Sequence, residues 1–230
     1  MTTPVVPQLL LEGQAAAPEG PIDLSAMFVM HRAFPRDLDA FATVVPTVPV
    51  PDRARWALLA GRFDVFATAL HKHHSGEDRG MWPLLAQRGA DPAVLDALEA
   101  DHAGIDPLLS EVRQLLTELS AGGSAATRER LAAATVRLRA DLEAHLVREE
   151  RDGMPLVQRY LTPEDWDRLD REVFQKDYRR REIPAVLGWV AAGLTEEEMH
   201  RLPGANPVFL VLARFLARRR VRSDARVFGR

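Results

Sequence analysis

Apolar residues recur along 52–77 at Trp56, Leu59, Phe63, Phe66 and Leu70, and the next two places in that rhythm belong to His73 and Glu77. The steps alternate between three and four, the inward seam of a helix in a left-handed bundle. A second seam runs Leu95, Leu98, His102, Ile105, Leu109, Val112, Leu116, Leu119, and a third runs Leu131, Thr135, Leu138, Leu142, His145, Glu149. A further amphipathic stretch from about Asp23 to Val45 carries Leu24, Phe28, His31, Leu38 and Phe41 on one stripe, with Pro35 inside it. A proline within a helix removes one backbone donor and predicts a kink there. The four helices are separated by the proline-rich 47–51 connector, by Asp91-Pro92, which reads as N-cap and first turn, and by the Gly122-Gly123-Ser124 turn.

The pattern is written twice. HHSGEDRGMWP at 73–83 and HLVREERDGMP at 145–155 share His, Glu four residues on, a second acid, an Arg, and Pro ten residues after the His. The lone histidines keep the same order, His31 preceding His73 by 42 residues and His102 preceding His145 by 43. The chain is therefore one helical hairpin repeated, and such repetition ranks ahead of any single motif. It predicts an all-α, up-down-up-down four-helix bundle over 21–160.

Outside the bundle the pattern weakens. Residues 1–20, rich in Pro, Ala and Gly without periodicity, read as a mobile leader. Thr162-Pro163 caps a fifth helix to about Tyr178, Thr195 with Glu198 fits a capping box, and Asn206-Pro207 opens a last segment within the helical extension 161–230. Its apolar half, from Val208 to Leu216, has to cover one end of the bundle or a second subunit, and a lid over the site is the expected arrangement. Its Arg-rich end reads as a solvated helix face or a disordered end, with no motif for reading nucleic acid.

At 230 residues and 47% hydrophobic content the chain can bury a core, and a net charge of −3 calls for no nucleic-acid or anionic-membrane partner. No apolar run approaches the roughly 20 residues that cross a bilayer. The absence of cysteine excludes disulfides, thiolate nucleophiles, zinc–thiolate sites and iron–sulfur clusters, and suits a reducing compartment. A cytoplasmic protein without a signal peptide, monomeric or homodimeric, is the expectation.

Residues four apart lie on one helical face, so His73 with Glu77 and His145 with Glu149 each offer an imidazole and a carboxylate to one point between helices. With His31 and His102 from the other two helices, four imidazoles and two carboxylates converge. Two carboxylates in an apolar core are very costly without compensating positive charge. Divalent metal supplies it, and two ions fit the donor count better than one.

These residues resemble the hemerythrin-like (HHE cation-binding) family, with its order of lone His, His-x-x-x-Glu, lone His, His-x-x-x-Glu and a Pro after each pair, over about 23–160. The resemblance implies a non-heme centre of two iron ions with an oxo or hydroxo bridge. Glu77 and Glu149 would bridge, His31 and His73 would serve one iron, and His102 and His145 the other. In the oxygen-carrying branch a second His follows the third-helix His by four residues; here that position is Asp106, a candidate seventh ligand, and its counterpart is Pro35. A carboxylate there would favour the ferric state, which points to turnover or sensing of oxygen, peroxide or nitric oxide rather than reversible carriage.

His71 and His74, off the seam, read as solvated or supporting, and Asp78 and Glu150 as surface or hydrogen-bonding acids that Arg79 and Arg151 could neutralise. A ferritin-like site would need Glu99 with His102 and Glu197 with His200, and zinc would prefer fewer donors. A non-enzymatic sensor or carrier signalling through the extension, and a di-iron oxygenase acting on an organic substrate, are the rival functions.

Overall fold

The computed structural model describes residues 5–202 and 204–229; Arg230, part of the Arg-rich end, and the first four residues of the expected leader lie outside them. Ten α-helices are present among them: α1 Ser25–Val44, α2 Arg53–Gly76, α3 Trp82–Gln87, α4 Pro92–Ala121, α5 Ala125–Arg148, α6 Met154–Tyr160, α7 Pro163–Leu169, α8 Ile183–Ala191, α9 Glu196–His200 and α10 Pro207–Phe228. The only extended pairing among the described residues is an isolated bridge between Val6 and Gly20.

α1, α2, α4 and α5 form the up-down-up-down bundle, in which α4 packs on α2 and α5, and α5 packs on α1. The expected starts and stops hold for physical reasons. Asp52 accepts from Arg55 N, Asp91 from Ala93 N and Ser124 from Thr127 N, each satisfying a donor left free at a helix start. Gly122 ends α4 at φ +112°, where its missing Cβ matters, and Gly123 N donates to Glu118 O. The seam residues Trp56, Leu59, Phe63, Phe66, Leu70, Leu98, Leu116, Leu131, Leu138 and Leu142 are fully buried, worth about 1.5–3 kcal/mol for each large apolar side chain. α1 runs unbroken through Pro35.

Both repeated motifs leave α-helical geometry at the same place. Glu77–Met81 and Glu149–Gly153 are single π turns, closed by bonds from Trp82 N to Glu77 O and from Met154 N to Glu149 O. Pro83 and Pro155 explain them: neither can donate to the carbonyl four residues back, and each ring crowds that carbonyl, so one widened turn relieves both. This is the physical content of the Pro ten residues after each His.

The leader is not loose over the described residues. Leu9 and Leu11 are buried, Gln8 Nε2 donates to Ile22 O (2.8 Å), and Ala15 N donates to Glu150 Oε2 (2.6 Å). Hydrogen bonds from scattered polar groups, rather than periodicity, tie it down.

α8 and α10 lie along a flank instead of capping one end, while Leu169, Val173 and Phe174 pack near Gly76 and Gly80. α8 pairs with α10, α8 rests on α1 and α10 on α2, covering the side where the α1 and α2 backbones lie farther apart. Trp189 packs on Phe34 (centroids 5.2 Å), and its Nε1 donates to Asp37 Oδ2 (2.9 Å). Buried Arg62 pairs with Asp37 and, at 3.0 Å, with Asp224 of α10. α8 was not anticipated, because IPAVLGWVA is too uniformly apolar to show a period. Of the apolar half of α10, Leu210 is buried, while Val208, Val211, Leu212 and Phe215 face outward. The Arg-rich end is ordered helix, with Arg220 paired to Asp224 and Arg214 to Glu196. No helix among the described residues is long and apolar enough to cross a membrane.

Candidate metal centre

The centre lies toward the end of the bundle where α1 and α4 begin and α2 and α5 finish. His31, His73, Glu77, His102, His145 and Glu149 are all buried there, as the repeat predicts. Their potential ligand atoms form two groups within coordination distance, His31–His73–Glu77–Glu149 and His74–His102–His145–Glu77. Glu77 belongs to both. Glu149 belongs to the first, and its Oε2 lies 3.5 Å from His145 Nε2 of the second.

The donor atoms face one another at short range. His73 Nε2 is 3.1 Å from Glu77 Oε1, His102 Nε2 is 3.4 Å from Glu77 Oε2, and His31 Nε2 is 3.3 Å from Glu149 Oε2. His102 Nε2 and His145 Nε2 are 3.2 Å apart. Ligand bonds of about 2.0–2.2 Å put neighbouring donors roughly 3.0–3.5 Å from each other, so the spacing is that of a coordination shell.

His74 corrects the sequence reading. It is buried and stacked on His102 (centroids 3.9 Å, interplanar 9°), while His71 is exposed as expected. The cause is geometric: α2 meets α1 on one side and α4 on the other, and adjacent residues on a helix point about 100° apart. His73 therefore faces His31 (centroids 5.2 Å) and His74 faces His102.

Asp106 goes the other way. It is exposed on α4 and belongs to neither group. The α4 seam advances by three after His102, to Ile105, so the residue four along has rotated out; no π turn restores it. Glu99, Glu197 and His200 are likewise exposed, so the ferritin-like pairs do not assemble.

The second acids of the motifs take the hydrogen-bonding one of their two expected roles, and their partners, which the sequence did not name, are imidazoles of the donor groups. Asp78 Oδ1 lies 2.7 Å from His102 Nδ1, and Glu150 Oε1 lies 3.1 Å from His31 Nδ1. Asp101 Oδ2 is 3.5 Å from His145 Nδ1. A carboxylate on Nδ1 leaves Nε2 free as the ligand atom and fixes the ring. Arg79 and Arg151 do not neutralise these acids: both are exposed, and Arg79 pairs with Asp177. The signal was present in the repeat, since each motif carries an acid immediately after its Glu.

The electrostatics fit a cation. Burial drives the Glu77 carboxyl well above its usual range, and the charges of Glu149 and Asp78 push it the same way. Burial also opposes ionisation of Glu149, but His31, His145 and His73 overcome it and hold that carboxyl below its usual value. Burial would lower His31, yet Glu149 and Glu150 outweigh it and raise it to about 9. His73 and His74 are pushed well below the ordinary imidazole value, and His145 to about 4, in each case chiefly by burial. Both carboxylate oxygens of Glu77 and of Glu149, Nε2 of His31 and of His73, and both ring nitrogens of His74 are buried with no hydrogen-bond partner. A buried carboxylate left in that condition costs several kcal/mol; metal cations would meet these carboxylate oxygens and one nitrogen of each imidazole.

Two openings approach the centre. A cleft of about 600 Å³ with both charged and apolar walls reaches His31 and Glu150 from the α1/α5 side, past Arg32, Asp39 and Glu143. A smaller, mainly apolar pocket reaches His73 from the extension side.

No curated protein and no solved structure matches the chain. The sequence profile of the hemerythrin HHE cation binding domain matches residues 23–158, from just before α1 to within α6, and encloses every residue of both donor groups. The chain thus belongs to the hemerythrin HHE cation-binding family.

Proposed function

We propose that this protein is a non-heme di-iron protein that binds or reduces a small oxidant, namely oxygen, peroxide or nitric oxide. The observation that carries it is Glu77, one buried carboxylate common to two buried donor groups, as a pair of ions sharing a bridge requires. In this reading His31 and His73 would hold one ion and His74, His102 and His145 the other, with Glu77 and Glu149 supplying the carboxylates. Bound iron would supply one-electron steps and a position for the small ligand. Asp78 and Glu150 keep the imidazoles oriented, and the cleft lined by Arg32, Asp39 and Glu143 would bring protons as far as the His31–Glu150 pair. A reducing cytoplasm, which the lack of cysteine suits, would return electrons to the centre.

Metal analysis with an optical spectrum of aerobically purified protein tests the proposal. About two iron per chain with near-ultraviolet charge-transfer bands supports it; a single zinc, or no metal after loading, overturns it. Multiple-turnover assays with peroxide, oxygen plus reductant, and nitric oxide then identify the oxidant.

A sensor is favoured by one contact chain. Phe34 lies between His73 (centroids 5.3 Å) and Trp189 of the extension (5.2 Å). Stoichiometric binding without turnover, with altered hydrogen exchange over 183–228, would select that reading.

A further inference from the structure

The pocket beside His73 is not part of the bundle alone. Met27 and Met30 of α1 form one wall, and Trp166, Phe174, Tyr178 and Val186, all beyond the matched domain, form the others. Its volume is about 140 Å³, close to the roughly 150 Å³ of an apolar protein cavity that accepts benzene. Methionine walls adapt to irregular apolar shapes.

Its polar groups discriminate. Lys72 Nζ is paired with Glu182 (2.6 Å) and sits over the Tyr178 ring (4.6 Å), while Asp170 Oδ2 accepts from Gln175 Nε2 (2.7 Å). The Lys72 charge is thus taken up by Glu182, and one Asp170 oxygen by the Gln175 amide. The Tyr178 hydroxyl, by contrast, is buried and without a hydrogen-bond partner. A buried donor in that state gains from an acceptor brought by an occupant. Close packing makes the walls specific: a Cβ on Gly76 would come within 2.5 Å of the Phe174 ring, so a side chain there would displace the residue that closes the pocket against α2.

We infer that this pocket binds a neutral, single-ring apolar molecule bearing one oxygen acceptor, held by the Tyr178 hydroxyl and placed against His73. The extension then serves as the wall of an organic binding site. As a site for a substrate of the metal centre it rests on the function proposed above; as a binding site it stands without it.

Anisole and ethylbenzene, similar in size and differing in the acceptor oxygen, are the probes. The full chain, carrying 13C-labelled methionine methyls, is titrated with each, both metal-loaded and chelator-treated. Saturable shifts at Met27 and Met30 are expected with both probes, anisole binding about three- to tenfold tighter, the range of one net hydrogen bond. Tyr178→Phe should erase that preference. Val186→Trp, or the milder Val186→Phe, should abolish or weaken both titrations while helicity and metal content stay unchanged. Absence of saturable shifts up to the solubility limit, binding indifferent to both Val186 variants, or a preference that survives Tyr178→Phe would overturn the inference. Failure to load two irons with the titrations intact would count against the redox reading only.

Discussion

His102 Nδ1 lies 2.7 Å from a carboxylate oxygen of Asp78, so a histidine in the second half of the repeat is oriented by an acid from the first. The relation is reciprocal, since His31 of the first half is held by Glu150 of the second at 3.1 Å. Each π turn makes this possible: the Glu points to the bundle axis, and the next residue reaches sideways to the neighbouring helix. Asp78→Asn and Glu150→Gln should each weaken metal affinity about 10- to 100-fold with little change in helicity. Chelator competition measures it, and affinity within twofold of the parent would show these acids to be bystanders.

Glu77→Gln should act with opposite signs in two states. Removing a carboxylate whose ionisation burial disfavours should raise the melting temperature of the chelator-treated protein, while the metal-loaded form loses its metal-dependent stabilisation. Thermal denaturation with and without metal reads both. A lower melting temperature in both states would mean that Glu77 is held for structural reasons.

The second donor group depends on His74. His74→Leu, which copies Leu146 at the equivalent place in the other half, should remove one of the two bound ions or weaken it selectively. Asp106→Asn should leave stoichiometry and spectrum unchanged, because Asp106 is exposed and outside both groups. Loss of metal on changing Asp106 would contradict the arrangement of α4.

The metal-free protein should lose stability as pH rises from about 6.5 to 9. His31 has a folded pKa of about 9 against an unfolded value of about 6.5. A raised folded pKa stabilises fully below the unfolded value and is lost through the folded one. Glu77, also raised, acts in the same sense. Chemical denaturation at several pH values should show this decline, and His31→Gln should flatten it. Metal binding displaces the His31 proton, so metal affinity should increase over the same interval.

Arg62 couples the bundle to the extension. Arg62→Ala would leave buried Asp37 with Trp189 Nε1 and the more distant Arg36 (3.8 Å), and would release Asp224 of α10. A loss of about 3–5 kcal/mol is expected, typical of a broken buried pair. Hydrogen exchange should quicken over 183–228. Unchanged exchange there would show that α8 and α10 are held by apolar contacts such as Phe41 with Phe228 (5.1 Å) alone.

Much of the centre was legible before folding because the signals are local. His73, Glu77, His145 and Glu149 sit at seam positions that a regular helix must turn inward, and His31 and His102 continue stripes of the same kind. His74 was placed off the site because a single seam describes contact with one neighbour, whereas α2 meets two; Asp106 was a candidate by resemblance alone, and the α4 seam steps past it to Ile105.

What the sequence by itself determined is the helical bundle, its twofold repetition and six of the inward donors, because spacing along a regular helix translates directly into direction. Only the tertiary structure decided that His74 joins the second group, that Asp78 and Glu150 cross between hairpins, that Asp106 stays in solvent, and that the extension walls a pocket beside His73. Those outcomes depend on which helices are neighbours and on where two prolines widen a turn. They are relations between distant segments, and no local period encodes them.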